Sequence, residues 1–126
     1  MNNKEKYFYD ARVLRVVDGD TVDMDVDLGF HTRVKKRVRL YGINAPETRM
    51  DHRIRTKSAR KKSKLRGLAA KKRLEEICRT SEDEICLSSR GLGKYGRVLG
   101  ILYVRENDEL FNINDLLVSE KLAEKL

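Results

Sequence analysis

The feature that most constrains this chain is a strict two-residue alternation that repeats across a short turn with its charges reversed. From Val22 to Leu28, the residues Val22, Met24, Val26 and Leu28 fall on one side and Asp23, Asp25 and Asp27 on the other, the pattern of a half-buried strand. After Gly29, Phe30 and His31 the alternation resumes, with Arg33, Lys35, Arg37 and Arg39 on one side and Val34, Lys36, Val38 and Leu40 on the other, Lys36 being the misfit. A loop over Gly29 to His31 predicts an antiparallel hairpin in which Asp27 faces Arg33, Asp25 faces Lys35 and Asp23 faces Arg37. The same register sets Thr21 across from Arg39, so this guanidinium has no acid directly opposite, and Asp20 is its neighbour.

Two polar loops meet the open end of this hairpin. Asp18, Gly19 and Asp20 supply carboxylates where a glycine can bend the backbone around a small ligand, and Asn44, Ala45, Pro46 and Glu47 follow the second strand. A hard cation such as calcium takes carboxylate, amide and main-chain oxygens, and the two loops offer that mixture beside an unpaired arginine. Cation, guanidinium and free carboxylate together match the needs of phosphodiester hydrolysis: charge neutralisation, oxyanion stabilisation and activation of water. By spacing alone, Asp-Gly-Asp is more often a solvated turn, and Arg39 one more surface charge.

A chain of 126 residues allows one domain, 1–126, with one modest core. Its net charge of +8 and 38% charged residues point to an anionic partner, nucleic acid first. No stretch is apolar enough for a signal peptide or a bilayer span, so we expect a soluble cytoplasmic monomer without membrane contact. Cys78 and Cys86 lack metal-ligand spacing, and with His31 and His52 as the two histidines a zinc site or a nucleophilic triad is disfavoured; both cysteines read as free thiols near the core.

Tyr7 to Val17 has the aromatic and β-branched content of a first strand. Between about 49 and 73 the chain turns basic, with Asp51 its sole acid. The plain reading is a solvated loop and helix segment; the functional one is an electrostatic guide for a nucleic-acid backbone. A helix beginning between Ser58 and Ser63 should run to about Arg79 with Ala70, Leu74, Ile77 and Cys78 on one face, while Leu65, Leu68 and Ala69 point elsewhere. Short strands follow at Ile85 to Ser88 and Tyr95 to Val104, then a last helix capped by Asn112 or Asn114. Five strands, a helix between the third and fourth, and a C-terminal helix give a mainly β, α+β architecture: an OB-fold Greek-key barrel. Such barrels often bind nucleic acid without cutting it, so fold alone leaves function open.

Three motifs carry a resemblance. DGDTV at 18–22, RVRLYGINAPET at 37–48 and KYGR at 94–97 resemble, in order, the signatures of the staphylococcal nuclease (thermonuclease) family, and INDLLVSEKLAEKL at 113–126 resembles its closing helix. The resemblance implies an OB-type barrel and a calcium-dependent nuclease that cuts DNA, with RNA as a second substrate, leaving 3′-phosphate ends. It implies that Asp20, Asn44 and the main-chain carbonyl of Ala45 bind the metal, that Glu47 positions or deprotonates the attacking water, that Arg39 and Arg97 grip the phosphate, and that Lys94 and Tyr95 contact the substrate. Asn44 stands where the family pattern has a second metal carboxylate, which predicts weaker calcium binding or tolerance of another divalent ion. No substrate-stacking tyrosine follows the last helix in this sequence, so binding is expected to lean on the basic segment. The alternatives are a nucleic-acid-binding module with a decayed metal site and a basic scaffold for acidic proteins.

Overall fold

The computed structural model describes residues 6–126. β1 (Phe8–Asp18), β2 (Thr21–Gly29) and β3 (Thr32–Leu40) form an antiparallel meander, followed by a two-residue β4 (Ile43–Asn44) and the long α1 (Lys57–Thr80). The chain continues through β5 (Ile85–Leu92), β6 (Val98–Glu106), β7 (Glu109–Asn112), α2 (Ile113–Ser119) and β8 (Glu124–Lys125). The main sheet runs β3-β2-β1-β5-β6-β7, and a parallel pairing of β3 with β6 closes the five long strands into a barrel. This is the OB architecture expected, with α1 between the third and fourth barrel strands; β4, β7 and β8 are short additions to it.

The hairpin has the register its charges predict: Thr21 pairs with Arg39, Asp23 with Arg37, Asp25 with Lys35 and Asp27 with Arg33. Side-chain contacts depart from it at one rung. Arg33 reaches diagonally to Asp25 at 2.9 Å, displacing Lys35, and stays 3.5 Å from Asp27. Arg37 holds Asp23 at 2.8 Å, and this hydrogen-bonded guanidinium lowers the Asp23 pKa. Such surface pairs contribute about 0–1 kcal/mol each, so they select register more than they hold the barrel. The inward residues do that: Val22, Met24, Val38, Leu40, Leu74, Leu102 and Leu117 are fully buried, each contributing about 1.5–3 kcal/mol.

The side chain of Thr56 caps α1 by accepting from Ala59 N at 3.1 Å, so the helix begins one residue earlier than the Ser58 to Ser63 window. Its buried face is Ser63, Gly67, Ala70, Leu74, Ile77 and Cys78, while Leu65 and Leu68 point to solvent as the pattern predicts. Small residues occupy the first half of that stripe and large ones the second. The helix therefore packs deep against the barrel at its C-terminal end and close to backbone at its N-terminal half.

The C-terminus corrects the sequence reading. Residues 113–126 do not form one helix: α2 ends at Ser119, Lys121 has φ +62°, and Glu124–Lys125 pair antiparallel with Ile43–Asn44. Leu122 N and Ala123 N donate back to Leu117 O, which turns the chain, and Ala123 becomes buried against the core. Pairing with β4 satisfies backbone groups that a continued helix would leave open. The last barrel strand also starts later than Tyr95, because Tyr95 and Gly96 both have positive φ and form a tight turn.

Cys78 and Cys86 are buried free thiols. Burial pushes Cys78 up to about 12 and Cys86 up to about 11. The unfolded chain releases these protons near the ordinary thiol value of about 8.5, so their contribution to stability is complete below that pH and is lost as pH rises toward the folded values. A thiol reagent such as DTNB at pH 8 should leave both cysteines unlabelled in the native protein and label both in denaturant. Rapid native labelling of either would contradict its burial.

Candidate active site

β1 carries register irregularities between Val13 and Arg15 and between Val16 and Asp18, which re-aim its end and set the turn at Asp18 to Asp20. Asp18 accepts from Thr48 N at 3.3 Å and Thr48 Oγ1 at 2.8 Å. Asp20, 6% exposed, accepts from Thr21 Oγ1 at 2.9 Å through Oδ1 and from Ala45 N at 2.8 Å through Oδ2. These carboxylates bind the first polar loop to the second. Gly19 serves packing: a Cβ there would lie 2.5 Å from Ala70 Cβ and 3.1 Å from Ala45 Cβ.

Arg39, a third-strand residue with no acid straight across, finds its partners diagonally and ahead. Nη1 donates to Leu40 O at 3.1 Å and Ile43 O at 2.9 Å; Nη2 donates to Asn44 Oδ1 at 3.0 Å and sits 3.4 Å from Asp20 Oδ2. Asp20, Arg39, Asn44 and Ala45 therefore form one hydrogen-bonded cluster. Sequence spacing brought these residues to one end of the barrel; it did not reveal that the guanidinium would be largely spent on protein acceptors.

Glu47 stands above this cluster on the lip of a cleft of about 510 Å³. Asn44, Ala45 and Pro46 line it on one side, Ser63, Arg66 and Ala69 of α1 on another, and Lys121 to Glu124 on the third. The helix can come this close because residue 67 is glycine: a Cβ there would collide with the Glu47 carbonyl oxygen and lie 2.8 Å from Pro46 O. The side chain of Glu47 is about half exposed, 4.0 Å from Arg53 Nη2. Arg53 also chelates Asp51 at 2.9 Å, and this hydrogen-bonded pair holds the Asp51 carboxyl down to about 2. Arg53, Arg66 and the 121–124 tail are the cleft residues that sequence reasoning missed. The basic run signalled the first two; nothing local signalled the tail.

Lys94, Tyr95 and Arg97 lie on a separate turn leading into β6. Tyr95 is 93% exposed with φ +62°, which excludes core packing for its ring. Arg97 precedes Val98, the partner of Val38, so by strand spacing its Cα is about 8 Å from that of Arg39 on the same side of the sheet. Its Nε donates to Lys94 O at 3.5 Å; the side chain neither touches the Asp20 and Arg39 cluster nor lines the cleft. The barrel thus brings the two arginines to one end of the sheet without joining them.

Comparison with known proteins places the chain in a family. A model of that family, described as staphylococcal nuclease homologue, matches residues 37–126, more than half of the chain. The chain belongs to the staphylococcal nuclease family. It is similar to a protein named micrococcal nuclease from Shigella flexneri, 30% identical over an alignment of 118 residues that covers 90% of this chain and 56% of the relative. It therefore spans little more than half the length of that nuclease.

Within this nuclease-family barrel, the donors available to a hard cation are all oxygen: the Asp20 carboxylate, the Asn44 amide oxygen and the Ala45 carbonyl. Asp20 and Asn44 also accept hydrogen bonds from the protein, and among the described residues no group of three or more acidic, histidine or cysteine side chains gathers into a metal cluster. The set fits a hard cation in kind, with less negative charge than a multi-carboxylate site. Among the described residues, no helix is long and apolar enough to cross a membrane.

Proposed function

We propose that this protein hydrolyses phosphodiester bonds of nucleic acid with the help of a divalent cation, calcium first. The observation that carries the reading is the half-exposed carboxylate of Glu47, on the lip of a polar cleft that also presents Arg53, Arg66 and Lys121, and directly after the cluster of Asp20, Arg39, Asn44 and Ala45, in a chain of a nuclease family. Asp20, Asn44 and the Ala45 carbonyl would hold the ion, which neutralises phosphate charge and acidifies water when bound. Glu47 accepts the proton of the attacking water. Arg39 and Arg97 approach the phosphate from the barrel side, and Lys94 and Tyr95 flank it from the turn before β6. Two N–H groups on Nη1 and one on Nη2 of Arg39 are hydrogen-bonded to protein, so a phosphate can draw on Nε–H and the second Nη2 N–H, and any closer grip requires Arg39 to release Asn44 or Ile43. Substrate phosphate, the stronger acceptor, drives that exchange.

Plasmid DNA incubated with calcium should be degraded, and chelator should stop it. Glu47→Gln should lower turnover by roughly 100- to 10,000-fold while leaving nucleic-acid binding in chelator intact. The commitment of the Arg39 guanidinium to protein acceptors favours one second reading, a binding module that does not cut. Wild-type protein that binds nucleic acid but cleaves nothing with calcium, manganese or magnesium would establish that second reading.

A further inference from the structure

We propose that the N-terminal half of α1 is a docking rail for the phosphate backbone of a nucleic-acid duplex, on a side of the helix separate from the cleft. The inference deepens the nucleic-acid reading above by naming the form of the partner and the surface that takes it.

The charge on this helix runs against the helix's own electrostatics. Its first turn holds no acid, its acids are confined to Glu75 and Glu76 near the other end, and Lys57, Lys61, Lys62 and Lys64 are all exposed within its first turns. The positive pole of the macrodipole disfavours cations there, and the lysines at positions 57 and 61, and 61 and 64, are like charges at contact spacing. Among the described residues, none of the four has an ion pair or hydrogen bond. A packed fold gains nothing from this arrangement, because the buried stripe of the helix begins only at Ser63. An anion that neutralises the lysines removes the conflict.

The geometry selects a duplex. Successive helix residues turn by about 100°, so Lys57, Lys61 and Lys64 fall within an arc of about 60°, while Lys62 turns toward the side where Arg66 lines the cleft. The cations are fixed on a rigid element rather than on a loop, which suits the regular phosphate spacing of a double helix. Single strands are held by aromatic stacking, and neither Phe, Tyr nor Trp occurs between Tyr41 and Tyr95. Backbone contact without stacking reads charge and shape rather than bases.

The test is binding in chelator, so that it is read whether or not the protein cuts. A labelled DNA duplex, an RNA duplex and a single strand of the same sequence are titrated over a range of salt. The variant Lys57→Gln, Lys61→Gln, Lys62→Gln and Lys64→Gln is compared with wild type and with Lys35→Gln, Lys36→Gln on the hairpin. The rail variant should weaken duplex binding roughly 100-fold at 0.1 M salt and lower the slope of log K against log salt by about 3, close to 0.9 per phosphate contact. The hairpin variant should leave the slope near wild type, and single strand should lose less than duplex. Equal loss per charge in both variants, tighter wild-type binding to single strand than to duplex, or no duplex binding would each overturn the rail. DNA and RNA duplexes responding alike would assign recognition to phosphate; a response by one alone would assign it to that duplex. Far-UV circular dichroism should show helix content equal to or above wild type, since the substitutions remove repulsion. Duplex binding in chelator that Glu47→Gln leaves intact, while the same variant loses plasmid cleavage with calcium, separates failure of the rail from failure of the catalytic reading.

Discussion

Arg39→Met is expected to cost about 3–5 kcal/mol of stability and, on the hydrolytic reading, roughly 100- to 1,000-fold in turnover. The first effect follows from Asp20. That carboxylate is almost wholly buried, and the Arg39 guanidinium 3.4 Å away is its ion-pair partner among the described residues. Methionine keeps the aliphatic packing and removes the charge, leaving an anion in the barrel end without a counter-charge, and three acceptors, Leu40 O, Ile43 O and Asn44 Oδ1, without their donor. Urea denaturation at pH 7 reads the stability and plasmid degradation the turnover. Adding Asp20→Asn to Arg39→Met should recover a large part of the stability and none of the activity, because it removes the stranded charge without restoring the phosphate contact. Arg39→Lys should lie between wild type and Arg39→Met in stability, since one ammonium cannot serve acceptors on both sides of the fork. An unchanged urea midpoint in Arg39→Met would show that the guanidinium does not neutralise Asp20.

Asn114→Leu should destabilise the barrel by about 3 kcal/mol or more. Asn114 is buried, and its side chain makes three bonds to backbone: Oδ1 accepts from Leu102 N at 3.2 Å, and Nδ2 donates to Tyr41 O at 3.0 Å and to Gly100 O at 3.2 Å. Gly100 O keeps a second partner in Tyr41 N at 2.7 Å, so the groups stranded by leucine are Leu102 N and Tyr41 O. Both belong to the seam where β3 meets β6, just before the segment that presents Asn44 and Glu47. Loss of stability should therefore come with hydrogen exchange at Leu102 faster than at the β1–β2 seam and, on the hydrolytic reading, with lower turnover. Asn114→Asp should be destabilised at neutral pH, where a carboxylate would face two carbonyl oxygens, and should regain stability as pH falls and a protonated acid can donate. Equal stability of Asn114→Leu and wild type would mean that other donors or water replace the amide.

Several of these groups illustrate how far the sequence could be read. The hairpin register was legible because side-chain period and charge sign changed together, and a loop over Gly29 to His31 selects the alignment that sets Asp23, Asp25 and Asp27 against Arg37, Lys35 and Arg33. The buried stripe of α1 was legible for the same reason: apolar residues at helical spacing can face only one side. Asn114 was weighed as a helix cap, and the structure gives the cap to Asn112, whose Oδ1 accepts from Asp115 N at 2.9 Å, leaving Asn114 for the seam. Both residues suit the N-terminus of a helix, and the choice depends on β3 and β6, which are far away in sequence.

The family signatures let the sequence name the candidate residues at the barrel end, Asp20, Arg39, Asn44, Ala45, Glu47 and Arg97, but not how they divide. Asp20, Arg39, Asn44 and Ala45 interlock, Glu47 faces the cleft, and Arg97 remains on the neighbouring strand entrance with Lys94.

What the sequence determined by itself was whatever depends on neighbours along the chain: strand alternation, hairpin pairing, the face of the long helix, and the excess of positive charge in its first half. What only the tertiary structure decided was whatever depends on close approach between distant segments. Gly19 is small to admit Ala70, Gly67 is small to admit the backbone of Glu47, and the final residues leave the helix to pair with β4 and wall the cleft. The physical reason is one of range. Backbone propensity and side-chain period act over a turn or a strand, whereas steric fit and the satisfaction of buried hydrogen-bonding groups are settled only when the barrel has closed.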